Sequence, residues 1–220
     1  YADFVQLLPA LESRHHAKPG GLFTHALEVV CRALDYRRGQ ILPRGAPPEV
    51  IGAQAHRWTY AVFVAALLHE VGRNMAELRV LMRAGRDVPE PWVPLAGSLR
   101  AHGAVSYRTE FIAKDARRDE LYASLPLQLL NRHVPPLVLE WLATDPELMR
   151  ELLSFLSADN SARTGAISEL VLRAAAELVS NDHLNRGRAE PTVQQAALAA
   201  TSRDVKSDPG FDRPATTPQA

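Results

Sequence analysis

The stretch "EVIGAQAHRWTYAVFVAALLHEVG", Glu49–Gly72, is the part of the chain whose reading decides the fold. From Ala61 to Leu68 it is apolar nearly all round, the signature of a helix buried at the centre of a helical domain. Pro47 and Pro48 suit a first helical turn, where a missing N–H removes no intrahelical bond. Gly72 reads as the C-cap, placing His69 and Glu70 in the last turn. The apolar run is too short to span a bilayer, so no membrane partner is expected.

Upstream, Leu22, Ala26, Val29, Val30 and Ala33 recur at three- and four-residue steps, predicting an amphipathic helix directly after Gly20-Gly21. His25 lies at the edge of that stripe and is expected to point inward. Downstream, "MAELRVLMR" reads as a shorter helix, and "DVPEPWVPLAG" holds three prolines that oppose regular structure. "AVSYRTEFI" alternates apolar and polar residues, which allows a strand or a small hairpin. Three helices are predicted at Leu121–Asn131, Pro136–Ala143 and Pro146–Leu156, and a strong amphipathic one in "GAISELVLRAAAELVSNDHL". The fold class is therefore all-α, a helical bundle with room for one β-hairpin. From Gly187 the composition turns to Ala, Thr, Ser, Asp and Pro without periodicity. The expected division is a helical domain at 1–186 and a linker at 187–220 toward a further region.

Twenty-five bases balance twenty-five acids in the 220 residues, so any nucleic-acid contact must come from a local patch. Only Lys18, Lys114 and Lys206 are lysines; a preference for arginine suits phosphate binding but follows equally from genome composition. The single Cys31 excludes an internal disulfide, fits a reducing cytoplasm, and reads as a small buried hydrophobe. Because the chain opens on Tyr1 rather than Met, it is expected to be part of a longer protein.

A metal site needs donors that converge from different elements. His25 on one buried helix and His69-Glu70 at the end of another supply imidazole and carboxylate, suited to Mn, Fe, Zn or Ni more than to Mg. On spacing alone, a satisfied core histidine is the commoner reading. His102 could reach the pocket but reads as a solvated loop residue, His56 and His133 as residues without a catalytic role, and His183 as a helix-end residue facing the dipole. Trp58 and Tyr60 read as packing residues, and Arg37-Arg38 and Arg117-Arg118 as ordinary exposed charge.

The wording of four stretches adds to this. "GGLFTHALEVV" followed by "AALLHEVGR" resembles the HD-domain phosphohydrolase superfamily. Together, "HHAKPGGLFTH", "RWTYAVFVAALLHEVGR", "LEWLATDPELMRELLSFLSAD" and "GAISELVLRAA" resemble the N-terminal domain of TraI-type, MobH-class relaxases of integrative conjugative elements, over residues 3–185. The resemblance implies an HD-like bundle that processes single-stranded DNA for transfer, with a metal polarising the scissile phosphate. It makes His25 the first helical ligand, His69 and Glu70 the adjacent pair, His15 and His16 members of a histidine cluster near the reaction, and Arg73 a phosphate-binding cation. Gly20 and Gly21 would let the backbone turn into the ligand helix.

Departures matter as much. Arg14 stands where the family begins three consecutive histidines, Glu70 replaces an aspartate, and Arg73 a lysine. Ala175 occupies the place of the closing aspartate, and alanine cannot bind metal. Glu177 is about 200° around the helix from Ala175 and is expected to face away. Asp159 reads as a loop or capping residue rather than a substitute ligand. The expected function is a relaxase-like DNA-processing domain with an impaired metal centre. The alternatives are a non-catalytic scaffold and a nucleotide phosphohydrolase.

Overall fold

The computed structural model describes residues 1–5, 7–10, 16–85, 88–113, 119–157 and 164–181. Tyr1–Val179 form one compact unit. The expected linker from Gly187, together with His183, lies outside the described residues, as do His15, Asp159, Arg117 and Arg118. In chain order the elements are α1 Ala2–Val5, α2 Gly21–Arg38, α3 Pro48–Leu68, α4 Val71–Glu77, β1 Leu78–Arg83, β2 Glu90–Pro91 and a 3₁₀ turn Pro94–Ala96. They continue with β3 Ser106–Phe111, α5 Asp119–Tyr122, α6 Leu125–His133, α7 Pro136–Ala143 and α8 Pro146–Leu156. A last helix, α9, runs over 166–181.

The architecture is mainly helical with one small antiparallel sheet. As its composition predicts, α3 is central: Trp58, Ala61, Val62, Val64, Ala65, Ala66 and Leu68 are buried, and α2, α6, α7 and α8 pack around it. The predicted stripe of α2 is the buried face, from Leu22 to Ala33. On α9, Ile167, Leu170, Val171 and Ala174 are buried in turn. Two helix starts, those of α8 and α9, are satisfied by side chains. Asp145 accepts a hydrogen bond from Leu148 N–H at 3.1 Å as the N-cap of α8. Glu151, on α8, reaches across to accept from Ile167 N–H at 3.2 Å and so caps α9 from another helix. Burial pushes the Glu151 carboxyl above its usual range, with neighbouring Glu147 adding to the effect and the backbone N–H groups opposing it.

Several expectations need correction. "LRVLMR" is a strand, not the end of a helix: Leu78, Val80 and Met82 turn inward while Arg79 and Arg83 face solvent. Its two-residue period becomes decisive because β3 and β2 pair on either side, in the order β2-β1-β3, and satisfy the extended backbone. The "AVSYRTEFI" segment is the expected strand, β3, and with β1 and β2 it forms the small β element, a three-stranded antiparallel sheet. The proline-rich segment is not wholly irregular, since Pro91 sits on an edge strand where its lack of an N–H is tolerated. Gly72 is inside α4 rather than at a C-cap; a Cβ there would stand 2.7 Å from the Tyr122 carbonyl, so glycine permits α4 and the α5 segment to approach. Cys31 is exposed rather than buried, because it lies about 180° around α2 from the Leu22 direction. Arg37 is buried, and its guanidinium donates to the carbonyls of Gln40 at 2.7 Å and Ala55 at 3.2 Å, tying the end of α2 to α3. Arg38 is the ordinary surface charge, paired with Asp35.

Candidate metal centre

Three local devices assemble the site. The first is the entry into α2. Gly20 adopts φ +78, a left-handed conformation that glycine takes without strain. At Gly21 a Cβ would run into the carbonyl of His16, so the segment carrying His16 can lie over the start of α2 only if residue 21 has no side chain. The segment is then fixed by Ala10 N–H donating to the His16 carbonyl at 3.0 Å and Gly21 N–H donating to Lys18 O at 2.9 Å.

The second device is the break between α3 and α4. His69 is the C-cap of α3 and Glu70 the N-cap of α4. The Glu70 carbonyl accepts from Asn74 twice, from its backbone N–H at 2.9 Å and its side-chain amide at 3.1 Å. This locks the turn that aims the Glu70 side chain. The third is His69 Nδ1, 2.7 Å from the Ala66 carbonyl. A carbonyl can only accept, so Nδ1 carries a hydrogen, and in the neutral ring Nε2 then presents its lone pair. Histidine ligands to metals are commonly oriented this way.

Together these bring His25, His69 and Glu70 to one place, with donor atoms within 4.8 Å of one another. His25 Nε2 is 3.2 Å from Glu70 Oε2, and His69 Nε2 is 3.9 Å from Glu70 Oε1. The His25 and His69 ring centroids are 6.1 Å apart. Donors on a tetrahedral ion bound at about 2.1 Å stand roughly 3.4 Å from each other, so small side-chain adjustments would suffice. Glu70 Oε2 is buried, and among the described residues its close polar neighbour is His25 Nε2 at 3.2 Å. A two-imidazole, one-carboxylate donor set with a buried, underused carboxylate oxygen fits a borderline divalent ion. Burial alone would push the Glu70 carboxyl up. The His25 contact, with the charges of His69, His25 and Arg73, outweighs it and holds the group at about 2.

His16 lies beside this triad, its ring tilted against that of His25 with centroids 5.1 Å apart, and its Nε2 is 3.1 Å from Glu28 Oε2. A cavity of about 570 Å³ opens on the other side, lined by His69, Glu70, Arg73, Asp119 and Ala175 among others. Arg73 Nη1 is 3.9 Å from Glu70 and its Nε 3.4 Å from Glu77, with half of the side chain still exposed to the cavity.

The chain matches the TraI_2 family, described as "Putative helicase", over residues 1–205. The chain belongs to this family. No curated protein matches it significantly. Ala175 lines the same cavity as His69 and Glu70. Glu177 points elsewhere and pairs with Arg32 of α2 at 3.5 Å.

Of the other residues read from sequence, His102 is held in its own loop by the Ser98 carbonyl, Nδ1 to O 2.9 Å, beside Gly97. His133 packs on Phe4, His56 is exposed, and Trp58 and Tyr60 pack as expected. Three groups near the site escaped sequence reading. Asp119 reaches the cavity from α5, and Glu28 reaches His16 from one turn past His25. The Tyr1 phenol is buried and raised well above its usual range, chiefly by burial and then by the Glu70 charge. Only Glu28 had a sequence signal, since it is three residues from His25 on one helix face.

Proposed function

We propose that this chain is an HD-like domain of a conjugative, MobH-type relaxase whose metal centre has lost its closing ligand. The observation that carries the reading is the convergence of His25, His69 and Glu70 beside a cavity in which residue 175 is alanine. The family membership supports DNA processing for transfer as the setting. His25, His69 and Glu70 would hold a Mn, Fe, Zn or Ni ion, and such an ion supplies Lewis-acid polarisation of a phosphodiester. Arg73 would bind the phosphate from the cavity side, and His16 would buttress the His25 ring. His15, outside the described residues, keeps the reaction-side role that the resemblance implies.

Two imidazoles and one carboxylate can by themselves hold a catalytic ion. The impairment we propose therefore rests on Ala175: the aspartate that the resemblance implies there is an anionic ligand lost outright, which weakens metal binding and turnover relative to the intact set. The direct His25–Glu70 contact favours the same reading, because it satisfies both groups in part without any ion. It also gives the second reading, a non-catalytic scaffold, its specific support. Bis(p-nitrophenyl) phosphate hydrolysis with added Mn ion tests the proposal. Activity at the level of a His69→Ala control is expected. Robust Mn-dependent hydrolysis abolished by His69→Ala would overturn the claim of impairment, and hydrolysis confined to nucleoside phosphates would favour a nucleotide phosphohydrolase instead.

A further inference from the structure

We infer that the outer face of the three-stranded sheet is a binding surface for the sugar-phosphate backbone of single-stranded DNA. This rests on the DNA-processing reading above and adds where the strand is held. The alternation of β1 and its register with β3 place Arg79, Leu81 and Arg83 on one face with Glu110, Arg108 and Ser106 directly across. Pro91 of β2 is the partner of Leu81 on the other side. The inward face holds Leu78, Val80 and Met82 against the core, so the arginines cannot be serving it.

The charge on this face is unbalanced. Arg108 donates to Glu110 Oε1 at 2.7 Å, and Glu110 is the face's one carboxylate among the described residues. Arg79 and Arg83 have no ion-pair partner among the described residues. A chain with no net charge has therefore gathered three guanidinium groups against one carboxylate on one small face. Along a strand, side chains on the same face recur about every 6.6 Å. Arg79, Arg108 opposite Leu81, and Arg83 thus follow one another along the strand direction at that interval, a spacing suited to successive phosphates rather than to one small anion. Each guanidinium offers a flat fork that can grip a phosphate or stack on a base, which a solvated lysine does less well. Leu81 and Pro91 give an apolar floor between them. α4, about 10 Å long, joins Glu70 to the start of β1. A strand seated on this face is complementary to it in charge.

The test is fluorescence anisotropy with a labelled oligothymidylate, titrated across salt concentrations, for the wild-type chain and for Arg79→Ala, Arg83→Ala and Arg108→Ala. Arg150→Ala, on α8, serves as a charge-matched control, and circular dichroism verifies folding of each variant. Each sheet variant is expected to weaken binding about five- to tenfold at low salt and to flatten the salt slope by about 0.7, with Arg150→Ala unchanged. Wild-type binding that the three substitutions leave intact would overturn the surface while leaving the DNA-processing reading in place. No binding by the wild-type chain at any salt would overturn both.

Discussion

Replacing Gly21 by alanine sets two effects of opposite sign against each other. Alanine is the better helix former, and at an open helical position the change stabilises by about 1 kcal/mol. Residue 21 is the first residue of α2, and the new Cβ would collide with the His16 carbonyl oxygen and stand 2.6 and 3.0 Å from the carbonyl and α carbons of the same residue. Those are backbone atoms, and no rotamer change can move them aside. The loop must shift, and the bond from Ala10 N–H to His16 O goes with it. Overpacking costs about 1–3 kcal/mol, and an overlap this deep with backbone atoms belongs in the upper part of that range, about 2–3 kcal/mol. The collision therefore wins, and Gly21→Ala should be less stable by about 1–2 kcal/mol. For a domain of this size that lowers the thermal midpoint by roughly 2–4 °C per kcal/mol. Circular dichroism melts and urea titrations read it directly. An unchanged or higher midpoint would refute the claim that His16 lies over the start of α2, and with it the placement of that ring against His25.

Cys31 on the solvent face of α2 should react stoichiometrically with a thiol reagent in native buffer; labelling that requires denaturant would return it to the core. Arg37→Ala removes a buried guanidinium from two carbonyls and should cost about 1–3 kcal/mol, seen as a lower urea midpoint at unchanged slope. Arg37→Lys should recover only part, since one ammonium cannot span both acceptors. Glu70 is held at about 2 against an ordinary 4.5, so its ionised form stabilises the fold fully above pH 4.5 and loses that contribution as pH falls through 2. In metal-free protein the contribution is about 3 kcal/mol, and Glu70→Gln should be correspondingly less sensitive to pH between 4.5 and 2 in urea titrations. Equal pH dependence of variant and parent would contradict the His25–Glu70 contact.

How much of this was legible beforehand depended on whether the signal was local. α2, α3, α7 and α8 follow from apolar periodicity and proline positions because each helix's burial pattern is written in its own residues. β1 was not, because "LRVLMR" satisfies a helical stripe as well as a strand and only its partners β2 and β3 decide. Gly72 carries an ordinary C-cap signal, yet its actual purpose is to admit the Tyr122 carbonyl from a distant segment. Cys31 could have been placed correctly, since its angle from the stripe is computable from the spacing of Leu22 and Ala26 alone. At the site, the inward aim of His25 was readable. Its distance to Glu70, the tautomer fixed by Ala66 and the presence of Asp119 in the cavity all arise from packing between elements, which no single stretch encodes.

The central claim is that three ligands converge and a fourth position is vacated by Ala175. Elemental analysis and metal titration of the wild-type chain beside Ala175→Asp test it most directly. The account predicts substoichiometric, weakly held metal in the wild-type protein. In Ala175→Asp it predicts near-equimolar metal bound on the order of tenfold or more tightly, lost again when His25 or His69 is also replaced by alanine. Tight equimolar metal in the wild-type chain, or no gain from the restored carboxylate, would contradict it.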